Sequence, residues 1–328
     1  MAKTDWYNRT GVTEFVLIGF KTFPEKQNLL FGVFFMIYIV TMAGNILIAS
    51  VVLANPHLHK PMYFFLWNLS FLEICYSSTI LPRVLASFIS DYHGVSFNGC
   101  FLQFYCFSFL AAAESYLLSA MSYDRYVAVC RPLHYVTLMN KKQCIQLCLA
   151  SWMIGIVASV FTTVFPSQLN YCGPNEIDHF FCDYAPLLML SCSDTWQTEM
   201  LMTVLGSACA VPPLLFTLAS YVCIIITILR IPSNSGRGKA FSTCSSHLIV
   251  VSIFYGSLII VYVLPKPKAM KDLNKVFSVF YTILTPMINP FIYSLRNREF
   301  KEAVRKALSK LSSYRRIHRT HLQCTMTH

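Results

Sequence analysis

The sequence predicts an all-α membrane protein, a seven-transmembrane helix bundle with a short amphipathic helix after the seventh span. Three observations lead there. The 328 residues are 55% hydrophobic and only 12% charged, with a mean hydropathy of +0.52. A soluble domain carries nearer 25% charged residues, so lipid must be the solvent for much of this surface. Seven apolar runs are each long enough to cross a bilayer, which takes about 20 residues. The charges lie between those runs and at one end of the chain, which is a topology signal. The net charge of +11 therefore does not point to nucleic acid, and no basic, polar groove interleaved with aromatics supports that partner either.

The runs cover 28–53, 61–88, 100–126, 143–164, 198–229, 240–264 and 274–295. They divide the chain into a leading segment (1–27), a seven-span domain (28–295) and a tail (296–328). The leading residues are polar and mixed, and the first run is too long for a signal peptide. It is expected to be the first span and the targeting signal at once. The longest loop, about 165–197, is expected to form an ordered lid. After the seventh span, Phe300, Val304, Leu308 and Leu311 recur at spacings of four, four and three among basic residues, the pattern of an amphipathic helix lying on the membrane surface.

Seven spans put the termini on opposite sides. With the N-terminus outside, the inner face holds Lys60, Arg125, Arg131, Lys141, Lys142, Arg230, Arg237 and Lys239, and nine more Lys or Arg between Arg296 and Arg319. Asp124, Glu299 and Glu302 are the acids there. This excess of cations inside supports an extracellular N-terminus and a cytoplasmic tail. Asn8-Arg9-Thr10 is a glycosylation sequon in the leading segment and agrees with that orientation.

Most of the thirteen cysteines lie within apolar runs and read as small buried hydrophobes. Cys100, Cys172, Cys182 and Cys192 do not. On an oxidising outer face they can form disulfides, and four cysteines allow three connectivities. Neither C-x-x-C pairs nor zinc-type Cys/His spacings occur, so no metal of that kind is expected. Intramembrane catalysis is not expected either. His57, His59, His134, His179 and His247 lie mostly at loops or span ends, and neither H-E-x-x-H nor G-x-S-x-G occurs. A secondary transporter would show inverted repeats, and none is visible.

Motifs then narrow the class. Met121-Ser122-Tyr123-Asp124-Arg125-Tyr126-Val127-Ala128-Val129-Cys130 closes the third run, and Pro61-Met62-Tyr63-Phe64-Phe65-Leu66 opens the second. Lys239-Ala240-Phe241-Ser242-Thr243-Cys244-Ser245-Ser246-His247-Leu248 opens the sixth, and Pro286-Met287-Ile288-Asn289-Pro290-Phe291-Ile292-Tyr293 closes the seventh. Gly44-Asn45 and Ser220-Tyr221 stand in the first and fifth. In this order, the motifs resemble those of olfactory receptors, a branch of the rhodopsin-like G-protein-coupled receptors. The resemblance covers roughly residues 10–310. Ser122 and Val129 depart from the commoner Ala and Ile without changing charge.

The resemblance implies several roles. A small, mostly apolar odorant would bind in the outer half of the bundle. Its contacts would be Phe104, Phe107, Ser108, Ala111 and Ala112 on the third span, and Leu205, Gly206 and Cys209 on the fifth. Tyr255, Leu258, Ile259 and Tyr262 on the sixth and Val279 on the seventh would complete the set. Phe107 stands where amine receptors usually carry Asp, which argues against an amine ligand. Cys100 would pair with Cys182 and Cys172 with Cys192. Asp124 and Arg125 would pair in the inactive state, with Tyr126, Tyr221, Asn289, Pro290 and Tyr293 completing the G-protein switch. Partners would be the odorant, a stimulatory olfactory G protein that raises cyclic AMP, and the lipid bilayer. An olfactory-type receptor for a metabolite outside the nose is the alternative.

One group stands out on physical grounds as well. Asn45, Glu73 and Glu114 lie at a shared depth, about 15–18 Å from the inner ends of their helices at 1.5 Å per residue. A charge at the bilayer centre costs about 2.5–3.5 kcal/mol on insertion scales, so intramembrane acids are functional candidates. Two close carboxylates cannot both ionise easily without a cation. Glu73 and Glu114 are therefore expected to share a sodium ion or a proton, with no other cofactor.

Overall fold

The computed structural model describes residues 12–20, 24–90, 92–172, 174–259, 271–296 and 299–306. The spans are Gln27–Ala54, Pro61–Ile89, Phe97–Cys130, Lys141–Ser167, Trp196–Leu229 and Asn234–Leu258. The seventh follows in three pieces, Lys271–Val279, a π-helical turn Phe280–Leu284, and Thr285–Arg296. Six of these helices are long and apolar enough to cross a membrane. The sixth has a shorter described apolar stretch, Cys244–Leu258.

The helices outrun the apolar runs at several ends, because polar caps carry them into the interface. Ser96 Oγ accepts the Gly99 amide at 3.2 Å, so the third span starts at Phe97. Asn140 Oδ1 accepts from Gln143 N and Ser233 Oγ from Gly236 N, both at 2.9 Å, at the starts of the fourth and sixth. Each cap satisfies one of the four amides that a helix start leaves without an internal partner. Apolar counting misses these residues because they are polar.

The third span is the axis of the bundle, packing on the second, fourth, fifth and sixth. The apolar windows of the second and third spans are 61% and 50% buried, against 28% for the first, fourth and fifth, which turn one face to lipid. Val33, Met36, Met153, Val157, Leu215 and Val222 are among the exposed apolar side chains on those outer faces. Two glycines permit close approach. A Cβ on Gly44 would lie 2.9 Å from Pro290 Cβ, where the first span meets the seventh. A Cβ on Gly155 would lie 2.6 Å from the Phe109 carbonyl oxygen and 3.1 Å from Ala113 N, where the fourth span meets the third. Both obstacles at Gly155 are backbone and cannot swing aside. Gly155→Ala is therefore expected to destabilise the bundle by about 1–3 kcal/mol, the usual cost of overpacking. A thermal-shift measurement on the detergent-solubilised receptor, with Gly32→Ala as the unobstructed control, checks it.

The outer end carries structure beyond a lid loop. Part of the leading segment forms β1 (Glu14–Leu17), which pairs antiparallel with β2 (Gly94–Ser96) and parallel with β3 (Glu176–Ile177) in the long loop. Phe15 lies opposite Val95 and Val16 opposite Glu176. Phe15 is fully buried, and the Phe20 ring sits 5.5 Å from Phe180 and 5.3 Å from Phe34. Gly19, at φ +53, makes the bend between strand and ring cluster. At the inner end, residues 299–306 are helical, with Phe300 and Ala303 buried against the inner core and Val304 packed beside them. Leu308 and Leu311 lie outside the described residues.

Candidate functional site

The outer end of the bundle is an aromatic cluster built on the third span. Phe104 and Phe107 point into the outer core cluster, with Ala111 and Val279 packed against it. The Phe107 ring lies 4.9 Å from Phe181, 5.6 Å from Tyr76 and 6.1 Å from Tyr281, so one ring of the third span meets rings from the lid, the second span and the seventh. Cys100–Cys182 and Cys172–Cys192 are bonded, and the first bond sets the lid directly above this cluster. Gln103, one turn below Cys100, fastens the same spot. Its Oε1 accepts the Cys182 amide at 3.0 Å and its Nε2 donates to Thr79 O at 3.0 Å. Lys275 of the seventh span pairs with Asp178 of the lid. Phe181, Tyr76, Tyr281 and Gln103 escaped the sequence reading. Gln103 alone carried a signal, as a polar residue one turn from a disulfide cysteine in an apolar run.

The other residues of the expected ligand set are distributed differently. Ala112 is buried and Ser108 half-buried on the third span. Leu205 and Cys209 are half-buried, while Gly206 is exposed with open space around it. Tyr255 is tied to the third span, its hydroxyl donating to Ser115 O at 3.0 Å with Ser115 Oγ 3.1 Å away. It belongs with Leu258 to the inner core cluster, and Ile259 is 40% exposed. Tyr262 and Asn8 lie outside the described residues, as does the side chain of Tyr293.

A polar cluster lies midway down the bundle. Asn45 Nδ2 donates to Thr41 O at 3.0 Å and to Pro286 O at 3.2 Å, joining the first span to the seventh. Asn289 Nδ2 donates to Glu73 Oε1, joining the seventh to the second. Glu73 Oε2, Ser77 Oγ and Glu114 Oε1 are buried without a hydrogen-bond partner among the described residues. Unmet buried acceptors are costly, and oxygen donors of this kind suit a hard cation or protons on the carboxyls. Ser77, one turn from Glu73, is an addition to the residues the sequence singled out. Among the described residues, no group of three or more His, Cys, Asp or Glu is arranged around a metal position.

The inner end holds the charge pair. Arg125 Nε donates to Asp124 Oδ2 at 3.0 Å and Nη2 to the same oxygen, with side-chain exposures of only 8% and 1%. Tyr135, in the single helical turn Tyr135–Leu138 after Pro132, donates to Asp124 Oδ1 at 2.7 Å. Burial and that carboxylate hold the Tyr135 phenol well above its usual range, so it stays a donor. Tyr221 Oη lies 2.7 Å from His247 Nδ1, linking fifth and sixth spans, and Tyr126 packs against the same small core as Tyr221, Ile224 and Cys244. His247 is thus buried between spans. Pro290 sits against Gly44. At the membrane edge, Glu299 accepts from Lys60 Nζ at 2.8 Å and from Tyr63 Oη at 3.2 Å, and Lys60 holds that carboxyl below the usual carboxylate range.

Six helices long and apolar enough to cross a bilayer, with a disulfide-capped aromatic cluster at one end and a buried Asp–Arg pair at the other, make this a multi-pass membrane helix bundle. Comparison with known proteins makes this specific. The family model described as olfactory receptor matches residues 34–311. Olfactory receptor 6B1 of Homo sapiens is 50% identical over 299 residues, covering 91% of this chain and 96% of its own. Olfactory receptor 11L1 of Homo sapiens is 48% identical over 303 residues, covering 92% and 94%. Olfactory receptor 8U3 of Mus musculus is 46% identical over 303 residues, covering 92% and 95%. The chain belongs to the olfactory receptor family.

Proposed function

We propose that this receptor binds small, mostly apolar odorants in the outer half of the bundle and activates a stimulatory olfactory G protein, raising cyclic AMP. The observation that carries the reading is the buried Asp124–Arg125 pair. A desolvated charge pair is weak as a source of stability. At a helix end it suits a switch, because it must be broken to release Arg125 toward a partner. The ligand favours one of two helix packings, and the shift is limited by its differential affinity for them. A few apolar atoms supply little of the roughly 5.5 kcal/mol needed for a full swing, so broad, weak tuning follows. Phe104 and Phe107, packed with Phe181 in the outer core, support an apolar ligand there. The N-terminus lies outside and the tail inside, on the charge asymmetry of the loops. The test is cyclic AMP in cells expressing the receptor with the olfactory G protein, screened against volatile compounds. A dose-dependent rise supports the reading; a rise only with water-soluble metabolites moves it to a non-odorant ligand.

The middle cluster is proposed as the coupling element. Glu73, Glu114 and Ser77 would hold a sodium ion or shared protons, whose charge neutralises the paired carboxyls in the inactive packing. Glu114→Gln is expected to change basal and stimulated cyclic AMP at matched surface level. Unchanged values in both would remove the cluster from the switch.

A further inference from the structure

A cavity of about 460 Å³ opens on the flank of the bundle between the third, fourth and fifth spans. None of its lining residues belongs to the aromatic cluster around Phe107. Its walls include Ser119 and Tyr123 of the third span, Gln143 and Ala150 of the fourth, and Pro212 and Phe216 of the fifth. The opening faces lipid: Ala150 is exposed and Phe216 is 47% exposed. Only a molecule dissolved in the bilayer can reach it.

The fifth span's prolines shape the upper end. Pro212 has no amide hydrogen, so the Ala208 carbonyl four residues earlier loses its helix partner. Tyr116 Oη replaces it at 3.0 Å, a tie from the third span to the fifth at the top of the groove. The lower end lies at Gln143, two residues into a helix that starts with Lys141 at the membrane surface. From Gln143 to Ile154 the fourth span rises about 16 Å, close to half of a 30 Å hydrocarbon core. The groove is therefore one leaflet deep, with its polar end at the interface. The side chains of Gln143 and Ser119 make no hydrogen bond to any described residue.

We propose that this groove is a sterol site, with the sterol hydroxyl at Gln143 and the fused rings along Tyr123, Phe216 and Pro212. The inference rests on the membrane reading of the chain and is independent of odorant binding. The match is one of shape and chemistry. A sterol is a flat, rigid body about one leaflet long with a single hydroxyl. Gln143 offers both a donor and an acceptor for that hydroxyl. Tyr123 and Phe216, with ring centroids 6.0 Å apart and planes at 48°, and the proline ring provide rigid apolar walls. A rigid polycycle loses less conformational freedom on docking than an acyl chain of equal area, which favours it over a phospholipid tail.

The test uses the full-length receptor in cell membranes, irradiated with a cholesterol analogue carrying a ring diazirine and an alkyne tail. Labelled peptides are mapped by mass spectrometry. Label is expected on residues 116–123 or 212–216, and excess cholesterol should reduce it about tenfold while excess phosphatidylcholine does not. Ala150→Trp, which fills the groove from an exposed position, should reduce it comparably at equal surface level. Label elsewhere, equal competition by phosphatidylcholine, or label unchanged by Ala150→Trp overturns the proposal. If Ala150→Trp does not reach the surface, the competition in the unmodified receptor decides alone.

Discussion

Arg125→Ala is expected to abolish stimulated cyclic AMP while leaving surface display intact, and Asp124→Asn to raise basal cyclic AMP. The two substitutions differ because of what each leaves behind. Without Arg125, Asp124 keeps the Tyr135 hydroxyl at 2.7 Å and the helix end stays packed. Without the Asp124 charge, Arg125 is a buried cation that has lost its counter-ion. Removing one partner of a buried pair typically costs about 3–5 kcal/mol. That cost falls on the packing in which the pair is buried, and each 1.4 kcal/mol shifts the population tenfold toward the packing in which Arg125 is released. Tyr135→Phe should act in the same direction more weakly, by about 1 kcal/mol, the net worth of one hydrogen bond. Cyclic AMP with and without odorant, normalised to surface receptor, reads all three. Retained stimulation in Arg125→Ala, or basal signalling in Asp124→Asn no higher than in the unmodified receptor, would remove the pair from the switch.

The second large effect is expected at the outer end. Cys100→Ser or Cys182→Ser should abolish surface display and ligand response together, because a native disulfide is commonly worth about 2–5 kcal/mol. The bond closes a separation of 82 residues, against 20 for Cys172–Cys192. On chain entropy alone, the longer loop contributes about 1 kcal/mol more. Packing widens the gap. The Cys100–Cys182 bond holds Phe181 on Phe107 and the Cys182 amide on Gln103, whereas Cys172–Cys192 fastens two parts of the same loop. Flow cytometry of the single and paired serine variants measures this. The milder phenotype should belong to Cys172→Ser, and the reverse order would contradict the account.

Much of this protein was legible in its sequence. Six of the seven apolar runs matched their spans to within four residues at the described ends, since a bilayer demands length and apolarity and little else; the sixth helix starts six residues before its run, whose last residues lie outside the described ones. The errors sit at polar caps such as Ser96, Asn140 and Ser233, which an apolar count cannot include. Asp124, Arg125, Glu73 and Glu114 stood out as ionisable groups in or beside apolar helices. The resemblance named the disulfide partners among three connectivities.

Spans, the amphipathic periodicity of the tail and the position of each polar group along its helix follow from composition and a 1.5 Å rise per residue, and so could be read along the chain. Which of those groups meet is set by contacts between helices and loops. Asn289 reaches Glu73 from another span, Tyr135 turns back onto Asp124 from a loop, and Gln103 takes the amide of Cys182 from 79 residues away. The four residues of β1 find partners near residues 95 and 177, with no local pattern to announce either. Helical stripes fix direction around one axis. Neighbours across axes are fixed by close approaches such as Gly155 on Phe109 and Gly44 on Pro290, where packing sets distances that no single segment encodes.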